Sequence, residues 1–137
     1  MSITFTIPGQ PVAKGRPRIT TINGFARSYT PAKTANYEGL VALAAQQAGC
    51  PLFDGPVRVT VTAYWSCLSS RKCKRTPRPA EWKTTRPDAD NLGKAICDGL
   101  NEVAWKDDAV VCDLIVRKLF AAQGEPARCE VTIEAIA

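Results

Sequence analysis

Histidine is absent from this 137-residue sequence, and that absence removes several familiar classes of active site. Ser-His-Asp and Cys-His nucleophile pairs, histidine general bases and most zinc sites all require an imidazole. Any catalysis must therefore rest on carboxylates, lysine, arginine, tyrosine or cysteine.

Long hydrophobic runs are also missing, because no apolar stretch approaches the roughly 20 residues that span a bilayer. Residues 1–8 contain neither the basic region nor the long apolar core of a signal peptide. Hydrophobic residues make up 45% of the chain and charged residues 23%, which is typical of globular domains. We therefore expect a cytoplasmic protein with no membrane partner and a single domain covering residues 1–137.

Closely spaced cysteine pairs are the third absence. Six cysteines are present, but no two of them form a CxxC pair, so a cysteine-only zinc site is disfavoured. A disulfide framework is also disfavoured, because the sequence shows no export signal. Most of the cysteines, such as Cys97 and Cys112, lie in apolar segments and are interpreted as small core residues.

Hydrophobic periodicity predicts an α+β (mixed α/β) fold. A mixed sheet of about four strands would be flanked by two helices, with an N-terminal hairpin and a long basic loop. The predicted strands are 2–7, 57–65, 109–120 and 128–136, the hairpin is 18–29 with an Asn-Gly turn, and the helices are 30–49 and 90–103. We expect Asp90 to cap the second helix, with Asn91 as a second candidate. Cys112 and Leu114 are predicted on the more apolar face of their strand.

Two basic segments stand out in a chain of net charge +5, which favours an acidic partner such as nucleic acid. The first segment contains Lys14, Arg16 and Arg18. It is interpreted equally well as an arm that contacts phosphate or as a solvated loop. The second is the loop 66–86, for which a DNA-contacting role is favoured over a solvated excursion because it leads directly into an acidic cluster. Its candidate DNA-binding residues are Arg71, Lys72, Lys74, Arg75 and Arg86.

The acidic cluster flanks the second predicted helix. Asp88 and Asp90 precede or begin the helix, Lys94 lies one turn later, and Asp107 and Asp108 occupy the turn after it. Carboxylates that face one cavity repel each other unless a hard cation lies between them. Mg²⁺ suits such a site, because it binds one or two carboxylates together with waters and phosphate oxygens. The alternative is that these aspartates are only a helix cap and a turn.

The spacing of these residues resembles that of a known family. Asp88, Asp90, Asn91 and Lys94 match its D-x-D-N-x-x-K pattern. Residues 105–111, which begin Trp-Lys-Asp-Asp, match its W-x-D-D-x-x-V turn. The family is that of the RusA-type Holliday junction resolvases, endodeoxyribonucleases often carried by prophages.

The resemblance implies a homodimer that binds branched DNA, namely a four-way junction, and makes paired nicks with Mg²⁺ or Mn²⁺ in DNA recombination and repair. Its catalytic acids fall on Asp88, Asp90 and Asp108, which would also hold the metal, and its essential lysine falls on Lys94. Asp107 is a further possible metal ligand.

Two other functions stay open from the residues. One is a non-catalytic DNA-binding protein whose acidic residues are structural. The other is a metal-dependent phosphohydrolase of small nucleotides, whose substrate binding would depend little on salt. The nuclease hypothesis requires Asp108 to lie close to Asp90, although the predicted helix separates them in the sequence.

Overall fold

A computed structural model describes residues 1–15, 18–22, 25–29 and 32–136, the second and third of these ranges by their backbone only. The strands are β1 (Ser2–Pro8), β2 (Arg18–Ile22), β3 (Phe25–Tyr29), β4 (Val57–Trp65), β5 (Glu81–Trp82), β6 (Val111–Phe120) and β7 (Arg128–Ala135). The helices are α1 (Ala32–Gln47) and α2 (Ala89–Leu100), and short 3₁₀ turns occupy Ser69–Arg71 and Asp108–Val110. Among the residues described, no helix is both long and apolar enough to cross a bilayer.

The main sheet has five strands in the order β1-β7-β4-β6-β5 and confirms the mixed α+β prediction. Strands β4 and β6 are parallel, while β1, β7 and β5 pair antiparallel to their neighbours. The extra strand is β5, a two-residue pairing within the loop 66–86, which has no periodicity from which a strand could be predicted. Strands β2 and β3 form the predicted hairpin, whose Asn-Gly turn lies outside the described residues.

Alternate residues of β4 divide the sheet into a buried face and a helix-free face. Val57, Val59, Val61 and Ala63 are fully buried in the core beneath the helices. Arg58 points to the opposite face, where its guanidinium lies 2.6 Å from Asp113 of β6. Because parallel strands need a crossover, the chain between β4 and β6 carries α2 across the buried face.

Two glycines allow α2 to pack closely on its neighbours. A Cβ atom on Gly93 would lie 3.1 Å from the side chains of both Leu114 and Val116 on β6. A Cβ atom on Gly99 would lie 2.9 Å from the carbonyl oxygen of Glu38 on α1. Helix α2 is therefore held tightly between β6 and α1, and this packing fixes the acidic residues that it carries.

The structure corrects three details of the predicted elements. Asp88, not Asp90, occupies the N-cap position of α2, and Asp90 lies in the first turn. Strand β6 begins at Val111, after a 3₁₀ turn. Its pairing with β4 contains a β-bulge, because Val57 pairs with Val111 whereas the next residue, Arg58, pairs with Asp113. Cys112 is the extra residue at this bulge and is exposed, so its assignment to the core was wrong. The core assignment of Cys97 is confirmed, but only Cys97 and Cys129 of the six cysteines are buried, so the assignment of most cysteines to the core was wrong.

Candidate active site

Lys118 of β6 holds the segment that leads into α2. Its ammonium donates hydrogen bonds to the carbonyl oxygens of Thr85 at 2.8 Å and Pro87 at 2.6 Å. The backbone N–H of Lys83 donates to the carbonyl oxygen of Lys118 at 2.9 Å. Pro87, which precedes Asp88, is therefore held against β6 by the half-buried side chain of Lys118. Sequence reasoning missed this role, because a lone lysine in a strand gives no signal of backbone partners.

The two carboxylates of the D-x-D motif line different cavities. Asp88 is exposed, makes no side-chain cap hydrogen bond, and lines a cavity of about 680 Å³ together with Lys14, Arg86 and Asn91. Asp90 lines a second cavity of about 330 Å³. Asp88 and Asp90 therefore open onto separate cavities, and a metal contact of Asp88 stays a prediction.

The second cavity brings Asp90, Lys94 and Asp108 together. Its other lining residues are Gly93, Cys97, Val111 and Leu114. Asp108 arrives from the turn after α2, since α2 runs antiparallel to β6 and the turn folds back along the helix. Asp90 and Asp108 therefore line one open cavity, while the charges that act on Asp108 are those of Lys94, Asp107 and Asp98. A metal ion shared by Asp90 and Asp108 stays a prediction.

Trp105 anchors the turn that delivers Asp108. Its side chain is fully buried, and its indole N–H donates a hydrogen bond to the Asn101 side-chain oxygen at 2.9 Å. The backbone N–H of Glu102, which has a positive φ of 68°, donates to the Trp105 carbonyl oxygen at 2.6 Å. A tryptophan that is buried and hydrogen-bonded fixes the direction in which the following Asp107 and Asp108 leave the helix.

Asp108 lies in an unfavourable environment for a negative charge. Partial burial raises the pKa of its carboxyl, and hydrogen bonding with Asp107 and the negative charges of Asp107 and Asp98 raise it further. The nearby Lys94 ammonium opposes these effects. Asp107 itself is exposed. Carboxylates that repel each other at a cavity wall would be relieved by a cation between them.

The donor set of the cavity fits a hard cation with few protein ligands. Within the described ranges, no group of three or more Asp, Glu, Cys or His side chains is close enough together to hold a metal. Asp90 and Asp108 remain as two carboxylates on one cavity, which is the number that Mg²⁺ commonly takes from a protein before waters and phosphate oxygens complete its shell. Asp107 precedes Asp108 in the same turn, whereas Asp88 lines the other cavity.

The cysteine and tyrosine side chains nearest the core are poor candidates for chemistry. Burial raises the pKa of the Cys97 thiol to about 12, and the charges of Asp108 and Asp98 contribute to the same direction. Tyr37 is buried, and its hydroxyl donates to the Cys129 sulfur at 3.1 Å. Burial raises the pKa values of both groups, that of Cys129 to about 11. These side chains therefore stay protonated at neutral pH and act as core residues.

Lys14 is bound by two carboxylates in the structure. Its ammonium lies 2.7 Å from Glu38 of α1 and 3.1 Å from Asp98 of α2. Arg16 lies outside the described residues, and Arg18 begins β2, where only the backbone is described. The predicted DNA contact of these three residues stays a prediction.

The basic loop 66–86 is folded against the sheet. The side-chain oxygen of Gln123 accepts hydrogen bonds from the backbone N–H groups of Cys73 at 2.9 Å and Arg78 at 3.2 Å. Arg71 pairs with Glu81 and lies over the Phe120 ring at 5.1 Å. The remaining predicted DNA-binding residues of this loop are exposed: Lys72, Lys74, Arg75 and Arg86.

The fold and the site together define a class: a mixed α/β domain with carboxylates and a lysine on one cavity, and with an exposed basic loop that leads into the helix carrying them. Comparison with known proteins agrees with this class. Residues 8–134 match the family model described as Endodeoxyribonuclease RusA. The chain therefore belongs to the RusA endodeoxyribonuclease family.

One curated relative covers nearly the whole chain. It is a Bacillus subtilis (strain 168) protein named "Uncharacterized protein YqaN", and it is 38% identical over 140 residues. The similarity spans 98% of this chain and 96% of the relative. Its printed name assigns no activity, so the family match and the cavity carry the functional argument.

Proposed function

We propose that this protein is a metal-dependent endodeoxyribonuclease that resolves four-way DNA junctions by paired nicks in recombination and repair. The observation that carries the proposal is the shared cavity of Asp90, Lys94 and Asp108, in a chain of the RusA family. Asp90 in the first turn of α2 and Asp108 in the turn after that helix line the same cavity, which supports the proposal.

Asp90 and Asp108 are the proposed ligands of Mg²⁺, with Mn²⁺ as a substitute. A bound ion of this kind supplies positive charge that polarises a phosphodiester and lowers the pKa of a bound water. Asp88 and Asp107 contribute further negative charge at the edge of the site. The exposed ammonium of Lys94 stabilises negative charge on the phosphate or the leaving oxygen.

The proposed substrate is branched DNA, and the proposed assembly is a homodimer with one site for each nick. Exposed cations of the loop 66–86 neutralise backbone phosphates near the site, which gives affinity without base specificity. A two-fold symmetric dimer suits a junction because it presents two equivalent sites to two equivalent strands.

The test is cleavage of a synthetic four-way junction with Mg²⁺, compared with a linear duplex built from the same arms. We expect symmetric nicks in the junction, little cutting of the duplex, and no cleavage in EDTA. Junction binding without cleavage at any divalent-ion concentration would contradict the proposal and favour the non-catalytic DNA-binding protein.

A further inference from the structure

The carboxylate of Asp98 lies between two lysines that sequence reasoning assigned to different tasks. Its Oδ1 accepts a hydrogen bond from the Lys94 ammonium at 3.2 Å, and its Oδ2 lies 3.1 Å from the Lys14 ammonium. The Asp98 side chain is only 17% exposed. Since each oxygen already has a cationic partner, Asp98 is poorly placed to act as a metal ligand.

Lys14 is itself held from several directions. Its ammonium also contacts Glu38 at 2.7 Å, and its backbone N–H donates to the Asn91 carbonyl oxygen at 2.9 Å. The next backbone N–H, that of Gly15, donates to the buried Thr34 hydroxyl at 3.0 Å. The Lys14 side chain is 19% exposed, and its ammonium is paired with two carboxylates. It is therefore poorly placed to bind a DNA phosphate as well.

Lys94 is in the opposite situation. Its side chain is 59% exposed at the edge of the cavity that contains Asp90 and Asp108. A lysine has four rotatable side-chain bonds, so an unrestrained ammonium spreads over many positions. Asp98 is one helical turn further along α2 and restricts that spread.

We propose that Asp98 is a positioning residue that holds the Lys94 ammonium at the cavity, and that Lys14 and Glu38 hold Asp98 in turn. Lys14 therefore acts through Asp98 and not as a direct DNA contact. This inference rests on the proposed function, because it assigns a task to residues around the same site.

Junction-cleavage kinetics give the first test. Asp98→Ala is expected to lower kcat about tenfold and to change KM less than about twofold, because an ammonium that is displaced from its position stabilises the transition state less well. Asp98→Asn keeps an oxygen acceptor for Lys94 and should retain most of the rate. Asp113→Ala is the matched control, since it removes a carboxylate from the 2.6 Å pair with Arg58 on the helix-free face. An equal loss in the control would overturn the proposal.

A double-mutant cycle separates positioning from DNA contact. Lys14→Met should lower kcat in the wild-type background but have almost no further effect in Asp98→Ala, because both changes act on the same ammonium. A direct phosphate contact would instead raise KM, reduce the salt dependence of binding, and persist in the Asp98→Ala background. That second pattern would overturn the role assigned to Lys14.

A third measurement does not use activity. In metal-free protein, the acylation rate of Lys94 by an amine-reactive reagent, followed by peptide mass spectrometry, should rise several-fold in Asp98→Ala and stay unchanged in Asp113→Ala. An unchanged rate in Asp98→Ala would overturn the inference even if the nuclease function holds. A wild type that cleaves no junction while Lys94 labelling rises would overturn only the proposed function.

Discussion

At the residue scale, the raised pKa of Asp108 shows that its charged carboxylate costs stability. Its pKa is raised in the folded protein, so folding disfavours its ionised form. Such a group stabilises the folded state below its unfolded pKa and loses that contribution as pH rises through the folded pKa. At neutral pH the charged Asp108 is therefore a net cost.

The first prediction follows from the raised pKa of Asp108. Asp108→Asn should raise the melting temperature of the metal-free protein at pH 7, because the neutral amide avoids the cost of burying a charge and the repulsion with Asp107 and Asp98. The difference from wild type should shrink below the ordinary Asp pKa of 3.8, where the wild-type carboxyl is protonated. Calorimetry at both pH values measures it, and a lower melting temperature for the variant at pH 7 would contradict the account.

A second prediction concerns the cation. Added Mg²⁺ should raise the melting temperature of the wild type, since a ligand that binds only the folded state stabilises it. Asp90→Asn and Asp108→Asn should each lose most of this increase, whereas Asp113→Asn on the helix-free face should keep it. Equal stabilisation of all four proteins by Mg²⁺ would show that the cation binds elsewhere.

Individual residues were predictable from the sequence where a motif carried them. The two aspartate blocks and Lys94 were found from their types and spacing, but the separation of Asp88 from the cavity of Asp90 was not. One residue between two aspartates at a helix start does not determine which way each carboxylate turns. Asp98 and Lys118 were missed as positioning groups, because their partners are brought close only by tertiary packing.

At the scale of elements, the contact between α1 and α2 depends on Gly99. Gly99→Ala would place a methyl group 2.9 Å from the Glu38 carbonyl oxygen and 3.0 Å from Val41 Cβ. We expect a loss of about 1–3 kcal/mol in unfolding free energy, because a backbone atom cannot easily move away.

The matched control is Gly39→Ala on α1, where an added Cβ meets nothing within 4 Å. This change should stabilise the protein by about 0.5–1 kcal/mol through helix propensity. Urea denaturation of both variants measures the difference. A Gly99→Ala protein as stable as Gly39→Ala would contradict the close packing of the two helices.

Lys118 gives a prediction about the segment that enters α2. Lys118→Met removes two charge-assisted hydrogen bonds to backbone carbonyls, so the amides of residues 84–86 and 88 should exchange with deuterium faster. The rate of junction cleavage should also fall in Lys118→Met. Lys118→Arg should preserve part of the protection from exchange and part of the cleavage rate. Unchanged exchange in Lys118→Met would show that this segment is held by other contacts.

Regular elements were the best-predicted part of the fold. The alternating apolar residues of β4 and the apolar stripe along α2 follow directly from the burial of one face of each element. The bulge at Cys112 and the short β5 were not predictable, because each depends on pairing with a neighbouring strand and not on local periodicity.

At the scale of the whole molecule, the exposed cations of the loop 66–86 are the proposed source of junction affinity. Replacing Lys72, Lys74 and Arg75 together by glutamine should reduce the salt dependence of junction binding, with the log–log slope falling by about 2–3 if each contacts one phosphate. Fluorescence anisotropy over a salt series measures the slope. The double change of Arg58 and Arg128 to glutamine, on the helix-free face, is the control and should leave the slope unchanged.

The most direct test of the central claim is the single-turnover nicking rate of a four-way junction with Mg²⁺, measured together with junction affinity. Asp90→Asn and Asp108→Asn should each lower the rate by at least about a hundredfold while binding stays near that of the wild type. Asp113→Asn should cleave like the wild type. Full cleavage by either cavity variant would contradict the account.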